Sequence, residues 1–334
     1  MSTVHLSQIP DIVSKTGVEV MVEGYDSEAP VYQDIVEVIP ISPLSPPTGF
    51  REAGMAGDET LEETNRGEAA KATTVNKTFT AYGRIVKFQR QLVLQEEEYN
   101  NPNANNILVG RIRDMARGWG AAWAALKDQL CADLFNNGAL TAGHQATFDG
   151  TPEDHPWEDP YPKFIFDGKP FLAASGNGHP LLPGGSDTRY NKLGLSLSST
   201  NLETALQLLE DTNAVSAYGQ KINVRADTLL VPRALQQTAK VIVGSELVPG
   251  SANNDINTHR GLLQALTWRR LTTSTSWAVM KRGRGILAHD SGMLRLSTEV
   301  RTDGTGNVAI RAVGYFGRTV TDWRYIVGSN FAAS

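Results

Sequence analysis

From Leu108 to Leu134, apolar residues return at steps of three and four through Ile112, Met115, Trp119, Trp123, Leu126 and Leu130. That period lays one continuous stripe along a helix face. With Asn103 or Asn105 as N-cap and Gly138 just past the end, it predicts a single helix over 105–137. Gly118, Gly120, Ala121, Ala122, Ala124 and Ala125 slim its middle, although a helical glycine costs about 1 kcal/mol of propensity. Another element is therefore expected to press against it there. Arg111, Arg113 and Arg117 stand in the N-terminal half, where the macrodipole disfavours cations. They are expected to pair with acids elsewhere, with Glu96, Glu97 and Glu98 as near candidates.

Shorter patterns predict the other elements. Thr78 to Tyr82 and Ile85 to Phe88 are rich in β-formers and read as strand. Thr200-Asn201-Leu202-Glu203 is a capping box that opens a helix through Leu209, carrying Leu202, Leu206 and Leu209. Ile222 to Val231 reads as a strand, and Pro232 then sits where the first turn of a helix accepts proline, ahead of Ala234, Leu235, Ala239 and Val243. Leu262 to Leu271 and Trp277 to Met280 read as strands. Leu294 to Val300 and Val308 to Tyr315 flank a turn from Thr302 to Asn307, which makes a hairpin, with a last strand around Trp323 to Val327. Residues 138–195 are rich in turn signals, Phe148-Asp149-Gly150, Phe166-Asp167-Gly168 and Gly176 to Gly185, with short strand-like pieces such as Lys163 to Phe166; irregular β structure is expected. No internal repeat is present.

The first fifty residues read as an arm. Pro40, Pro43, Pro46 and Pro47 fix an extended stretch, and Val31, Tyr32, Ile35, Val36 and Val38 give a short helix between Asp26 and Ile39. Residues 51–68 are acidic through Glu52, Asp58, Glu59, Glu62, Glu63 and Glu68. From Ala69 to Gln95 there is no acid, but Lys71, Lys77, Arg84, Lys87 and Arg90. A long two-stranded excursion with an acidic and a basic side fits this flip. A solvated hairpin and an arm lying on another subunit explain it equally well. A lone hairpin is marginal in water, so a long one needs something to lie on.

Composition narrows the classes of function. A chain of 334 residues suggests about two domains at roughly 150 residues each. With 40% hydrophobic and 20% charged residues, bulk disorder is excluded. A net charge of -5 supplies no general drive towards phosphate backbones. The single cysteine, Cys131, permits neither an intrachain disulfide nor a multi-cysteine metal site; beside Leu130 and Leu134 it reads as core. No apolar run approaches the ~20 residues of a membrane-spanning helix, and Met1 to Pro10 has no secretory pattern.

Catalytic motifs are missing: no GxxxxGK[ST] loop, no GxGxxG after a strand, no HExxH and no GxSxG elbow. His5, His144, His155, His179, His259 and His289 are scattered, without ligand spacing on a helix. Asp154-His155 and His289-Asp290 read as exposed loop residues rather than acid–base pairs, since neighbours on a strand point apart. Ser175-Gly176-Asn177-Gly178 reads as a turn, and Trp119 and Trp123 as core or interface anchors. No catalytic, cofactor-binding or metal residue is assigned.

Some motifs carry a resemblance. Phe166-Asp167-Gly168-Lys169-Pro170-Phe171 is followed by Gly176-Asn177-Gly178-His179-Pro180. Leu195-Ser196 leads into a helix, and Asp227-Thr228-Leu229-Leu230-Val231-Pro232 has Ala239 and Ser245 downstream. Then comes the loop Asn253-Asn254-Asp255-Ile256-Asn257. Set on this order of elements, across roughly residues 75–330, they resemble the major capsid proteins of tailed phages with the Hong Kong 97 fold, and most of all the Mu-type major head subunit. The strand from Thr80-Ala81-Tyr82-Gly83 to Arg90-Gln91-Leu92-Val93 resembles that family's segment entering the central domain, with the triple glutamate 96–98 where an acidic pair is usual.

The resemblance implies an α+β, Hong Kong 97-like capsid fold. Its parts would be an N-terminal arm (1–50), an extended β-hairpin loop (51–95) and a peripheral domain with the spine helix (96–195), then an axial α/β domain (196–290) and strands returning to the peripheral domain (291–334). It implies a non-enzymatic head protein that self-assembles into hexamers and pentamers of an icosahedral shell around packaged double-stranded DNA. Such a protein is made in the host bacterial cytoplasm and resides in the virion, with the portal and decoration or scaffolding proteins as partners. No cofactor, membrane or sequence-specific DNA contact is implied. The chain begins almost at the arm, without the long scaffolding segment that some members cleave, so scaffold and protease stay open; no lysine or asparagine is assigned to crosslinking. An encapsulin-like shell and, from the His-Asp and Ser175 hints, a soluble hydrolase are the alternatives. Candidate intersubunit residues are Lys71, Lys77, Arg84, Lys87, Arg90, Glu59, Glu62, Glu63, Arg111, Arg113 and Arg117.

Overall fold

Val20, Met21, Gly24 and Tyr25 are buried at helical spacing, and the described chain begins in helix. The structure, a computed structural model, describes residues 9–41, 49–53, 80–95, 105–139, 165, 167, 169–181, 185–216, 219–247, 256–300 and 307–331. Helix α1 (Ile9–Ile12) runs through a π turn, Val13–Gly17, into α2 (Val18–Ser27). The arm is thus helical over this part and folded back onto its own subunit, a correction to the extended expectation. The prolines act only from Pro40 onward; upstream, the helical period decides. The helix expected between Asp26 and Ile39 is a single 3-10 turn, Tyr32–Asp34, followed by β1 (Glu37–Pro40).

Strands β2 (Gly49–Ala53) and β3 (Thr80–Leu94) pair antiparallel, Gly49 opposite Arg84 and Ala53 opposite Thr80, so the base of the excursion is a hairpin. Residues 54–79 lie outside the described residues. The spine helix α3 (Asn105–Asn136) ends one residue short of expectation, about 48 Å long at 1.5 Å per residue. Beyond it the Gly138 amide donates to the Phe135 carbonyl at 3.2 Å, and a Cβ there would overlap the Leu134 carbonyl. Helix α2 is the element that presses on the slim middle. A Cβ on Gly120 would overlap the Met21 carbonyl, and one on Gly24 would overlap the Arg117 carbonyl, so the two backbones touch. Gly118 faces open space and has no such role.

Next come a two-stranded ladder, β4 (His179–Pro180) with β5 (Thr188–Arg189), and β6 (Lys192–Leu193). Helix α4 (Ser199–Gln207) opens two residues before the expected box. Extended Ser198 is the N-cap, and its hydroxyl accepts the Asn201 amide at 3.2 Å. A π turn, Leu208–Thr212, continues it. Strand β7 (Thr228–Val231) is shorter than expected but wholly buried. Pro232 opens a 3-10 turn, Arg233–Leu235, that leads into α5 (Gln236–Gly244). Strands β8 (Gln264–Thr267) and β9 (Trp277–Met280) follow, β8 again shorter than its apolar run.

Strands β10 (Ile286–Asp290), β11 (Arg295–Val300) and β12 (Val308–Val320) complete the main sheet. β11 and β12 form the expected hairpin, Val300 opposite Val308, but β12 runs on to Val320 and is the sheet's centre, paired with β10, β11 and β3. The expected last strand begins as a 3-10 turn, Trp323–Tyr325, capped by Asp322, and only then becomes β13 (Ile326–Ser329). The six-stranded sheet runs β1-β10-β12-β3-β2, with β11 also on β12. A five-stranded sheet runs β6-β13-β9-β7-β8. One apolar core containing Trp123, Phe135, Phe171, Trp268, Phe316 and Trp323 joins the spine to both sheets. A second, with Leu202, Leu209, Leu229, Val231 and Trp277, fills the region of α4 and α5.

Candidate functional site: a buried charge cluster and the assembly surfaces

Every stripe residue named on α3 is buried or half-buried, yet the same helix also buries Lys127 and Asp128, at 1% and 6% exposure. Lys127 Nζ lies 2.7 Å from Asp290 Oδ1 and donates to the Gly292 carbonyl at 2.9 Å. It also sits 4.6, 5.0 and 6.0 Å from the ring centroids of Trp123, Tyr25 and Phe316, an aromatic enclosure that favours a cation. Burial holds the Lys127 ammonium below the usual lysine pKa, against the pull of Asp290. The Tyr32 hydroxyl donates to Asp290 Oδ2 at 2.9 Å, and the Tyr25 and Tyr32 hydroxyls are 3.2 Å apart. Burial pushes both phenols up.

Asp128 fastens other segments. Its Oδ1 accepts the Val31 and Tyr32 amides at 2.9 Å each, and its Oδ2 accepts Trp268 Nε1 and Arg270 Nε at 3.0 Å each. One turn of helix thereby ties the N-terminal segment, β10 and the 268–270 segment together. The arrangement offers no activated nucleophile. Burial also pushes the Cys131 thiol up, which suppresses the reactive thiolate.

The motif residues are structural pins as well. Wholly buried His179 is 2.6 Å from Asp167 through Nδ1 and 3.2 Å from Asn191 Oδ1 through Nε2, and its ring stacks on Trp323 at 4.5 Å. This joins the 166–171 motif to the 176–180 motif. Asp227 accepts Lys281 Nζ at 2.8 Å and the Arg282 amide at 2.9 Å. Burial alone would raise its pKa, but these donors and Thr228 hold the carboxyl below the usual aspartate value. Asn257 donates to the Ile242 and Ser245 carbonyls at 2.6 and 2.9 Å and so closes the end of α5. Ser175 and Gly176 form the expected turn, the Asn177 amide donating to the Ala174 carbonyl at 3.0 Å.

One expectation is overturned. His289 and Asp290 are buried strand residues, not exposed loop residues, because β10 lies inside the sheet between β1 and β12. Asp154 and His155 lie outside the described residues. Among the described residues no group of three or more His, Cys, Asp or Glu side chains forms a metal site, and no helix is long and apolar enough to cross a membrane.

The expected contact residues fall into three sets. Glu59, Glu62, Glu63, Lys71 and Lys77 lie outside the described residues, as do Glu96, Glu97 and Glu98. Arg84 stands on β3 opposite Gly49 on one side and Arg318 on the other. Lys87 and Arg90 are exposed on β3, and Arg111 and Arg113 are exposed on α3. Arg117 is met by Glu23 of α2 at 3.0 Å, a partner supplied by the N-terminal helix. The Lys127–Asp290 cluster was missed, although a Lys-Asp pair inside a helix otherwise reading as core was its signal.

A long spine helix crossing a β12-centred sheet, with a separate five-stranded α/β region, defines a shell-forming capsid fold. The virus-like particle protein from Pyrococcus furiosus shares it, with a TM-score of 0.50 and 10% identity over 95% of this chain and 98% of that one. A Mycobacterium phage Patience protein gives 0.49 at 11% identity over 99% and 90%, and the capsid of a native GTA particle gives 0.47 at 13% over 92% and 91%. No curated protein matches the sequence. Residues 72–329 match the family described as phage capsid protein, and the chain belongs to that family. The fold is the Hong Kong 97-like one that the motifs implied, and the chain is a major capsid protein, located in the shell of the virion.

Proposed function

We propose that this chain is the major head subunit of a tailed phage, of the Mu type, assembling as hexamers and pentamers into an icosahedral shell around packaged double-stranded DNA. The observation that carries the reading is the family match over residues 72–329 on a capsid fold. A net charge of -5 suits a container into which DNA is forced rather than bound. The portal joins it in the head, with decoration or scaffolding proteins as further partners, and the subunit is made in the host cytoplasm. Residues 51–95 act as the extended loop, 96–195 as the peripheral domain and 196–290 as the axial domain. Intersubunit register comes from the acids 59, 62 and 63 meeting bases of a neighbour, Lys71, Lys77, Arg84, Lys87, Arg90, Arg111 and Arg113 being the candidates.

Negative-stain microscopy of the purified chain tests the reading. Shells with five- and six-fold capsomers are expected, and a uniform small particle under all assembly conditions overturns it. The family match favours a virion head over an encapsulin-like compartment.

A further inference from the structure

Between β12 and β13 the chain passes from the six-stranded sheet to the five-stranded one through the Trp323 turn, and the ring of His179 lies flat on Trp323 there. Both ring nitrogens face acceptors. The amide of Asn191 can be oriented in one way only: its Nδ2 donates to the Phe171 carbonyl at 3.0 Å, and its Oδ1 accepts the Ala173 amide at 2.8 Å. A flipped amide would set donor against donor and acceptor against acceptor. The atom 3.2 Å from His179 Nε2 is therefore an oxygen, and Nε2 carries a hydrogen. Nδ1 meets Asp167 Oδ2 at 2.6 Å, while Asp167 Oδ1 accepts the Lys169 amide at 3.0 Å. Either neutral tautomer would press a ring lone pair against one of these two oxygens, in a site where neither the His179 nor the Asp167 side chain has any exposure.

We propose that His179 is an imidazolium in the folded subunit and that the His179–Asp167 pair is a proton-dependent clasp on the junction between the two sheets. The ring holds the Trp323 turn, and Asn191 at its far edge takes the Gly328 amide of β13 on its own carbonyl at 2.9 Å. If the ring proton is removed, the Nδ1 lone pair faces a carboxylate and the contact must open. The charged groups on the surrounding elements leave Asp167 as the counter-ion. Arg189, opposite His179 on β5, turns to Asp187. Arg324, over the Trp323 ring at 5.7 Å, is 3.6 Å from Asp322. Lys169 Nζ donates to Asn177 Oδ1 at 2.7 Å, and half-buried Lys192 follows Asn191. With Lys169, Lys192 and Arg324 all cationic, only Asp167 favours a charged ring, and without it the ring gives up its proton.

Nitrogen-15 NMR of protein labelled at histidine and tryptophan reads the ring directly, in solution on free subunits or by magic-angle spinning on shells. The His179 signals are those in dipolar contact with the Trp323 ring. Both ring nitrogens are expected to carry hydrogen at neutral pH, and one to lose it as alkali opens the clasp. Asp167→Asn separates the clasp from plain packing. The new Oδ1 still accepts the Lys169 amide while its Nδ2 donates to Nδ1, so a neutral ring stays in place. That variant is expected to show one bare ring nitrogen at neutral pH, and to lose the part of the alkaline fall in melting temperature that the wild type owes to His179. A bare ring nitrogen on wild-type His179 at neutral pH overturns the proposal. So does a doubly protonated ring in folded Asp167→Asn, or a melting profile with unchanged pH dependence. The wild-type spectrum decides even where the variant does not fold.

Discussion

Cutting one side of the Lys127–Asp290 pair should reveal how much the spine depends on it. In Lys127→Met, Asp290 keeps only the Tyr32 hydroxyl and the Gly292 amide; in Asp290→Asn, the ammonium keeps the Gly292 carbonyl and three ring faces. Stranding one member of a buried pair costs about 3–5 kcal/mol. Desolvated cation–π contacts of about 2 kcal/mol place Asp290→Asn at the lower end of that range. At about 2.1 cal/mol/K per residue, 334 residues unfold with roughly 0.7 kcal/mol/K. The singles should therefore lose about 4–7 °C of melting temperature in scanning calorimetry of the unassembled subunit. The double variant removes both charges and should lose less than the sum, by a coupling of about 2 kcal/mol or more. Shifts below about 1 °C, or strictly additive ones, would refute the account of a desolvated, mutually dependent pair.

Other outcomes follow from the same geometry. Gly120→Val should force α2 off the spine and open residues 9–27 to limited proteolysis, whereas Gly118→Ala, facing open space, should stabilise by up to about 1 kcal/mol in denaturant melts. Leu130→Ala should cost about 2–5 kcal/mol in the same melts, and half-buried Leu126→Ala less. Tyr25 and Tyr32 have raised pKa values in the fold, so their contribution is complete below the ordinary phenol value near 10 and is lost as pH rises above it, because the unfolded chain sheds protons that the fold keeps. Lys127, shifted down, opposes this with one proton, and Tyr25→Phe should flatten the alkaline fall in melting temperature. Assembly followed by light scattering should slow as the Debye length shrinks from about 10 to 3 Å, with the melting temperature of the free subunit scarcely changed.

The spine helix was legible nearly to the residue because a single period runs through it for 32 residues and a glycine marks its end. β9 was legible for a related reason: Trp277 to Met280 is buried on both faces and reads as one apolar run. The N-terminal helix was not, because four prolines from Pro40 onward dominate the segment's appearance, while Gly24, which lets it pack, matters only through close approach to the Arg117 backbone more than ninety positions away. Strand ends failed similarly. Val224 and Ala226 are apolar and buried next to β7 without belonging to its ladder, so burial alone overstated the strand. The capping box slipped by two residues because Ser198, Ser199 and Thr200 can all cap, and only backbone geometry selects Ser198.

The charged residues of this chain divide by burial, and on the proposed assignment of the exposed ones to intersubunit contacts the division separates stability from assembly. Lys127, Asp128 and Asp290, with His179 and Asp167, are withdrawn from solvent and hydrogen-bonded to segments distant in sequence. Salt screens such pairs weakly, and losing a partner strands a charge in a low-dielectric interior. Lys87, Arg90, Arg111 and Arg113 are exposed, where an ion pair is worth about 0–1 kcal/mol and acts mainly on encounter and register. A subunit that must be rigid before it meets its neighbours, yet must sample them reversibly while a closed shell is built, needs both populations. The first gives the spine, the N-terminal segment and the main sheet a single relative arrangement. On the proposed assignment of these residues to intersubunit contacts, the second leaves the choice of neighbour weak enough, contact by contact, for a misplaced subunit to leave.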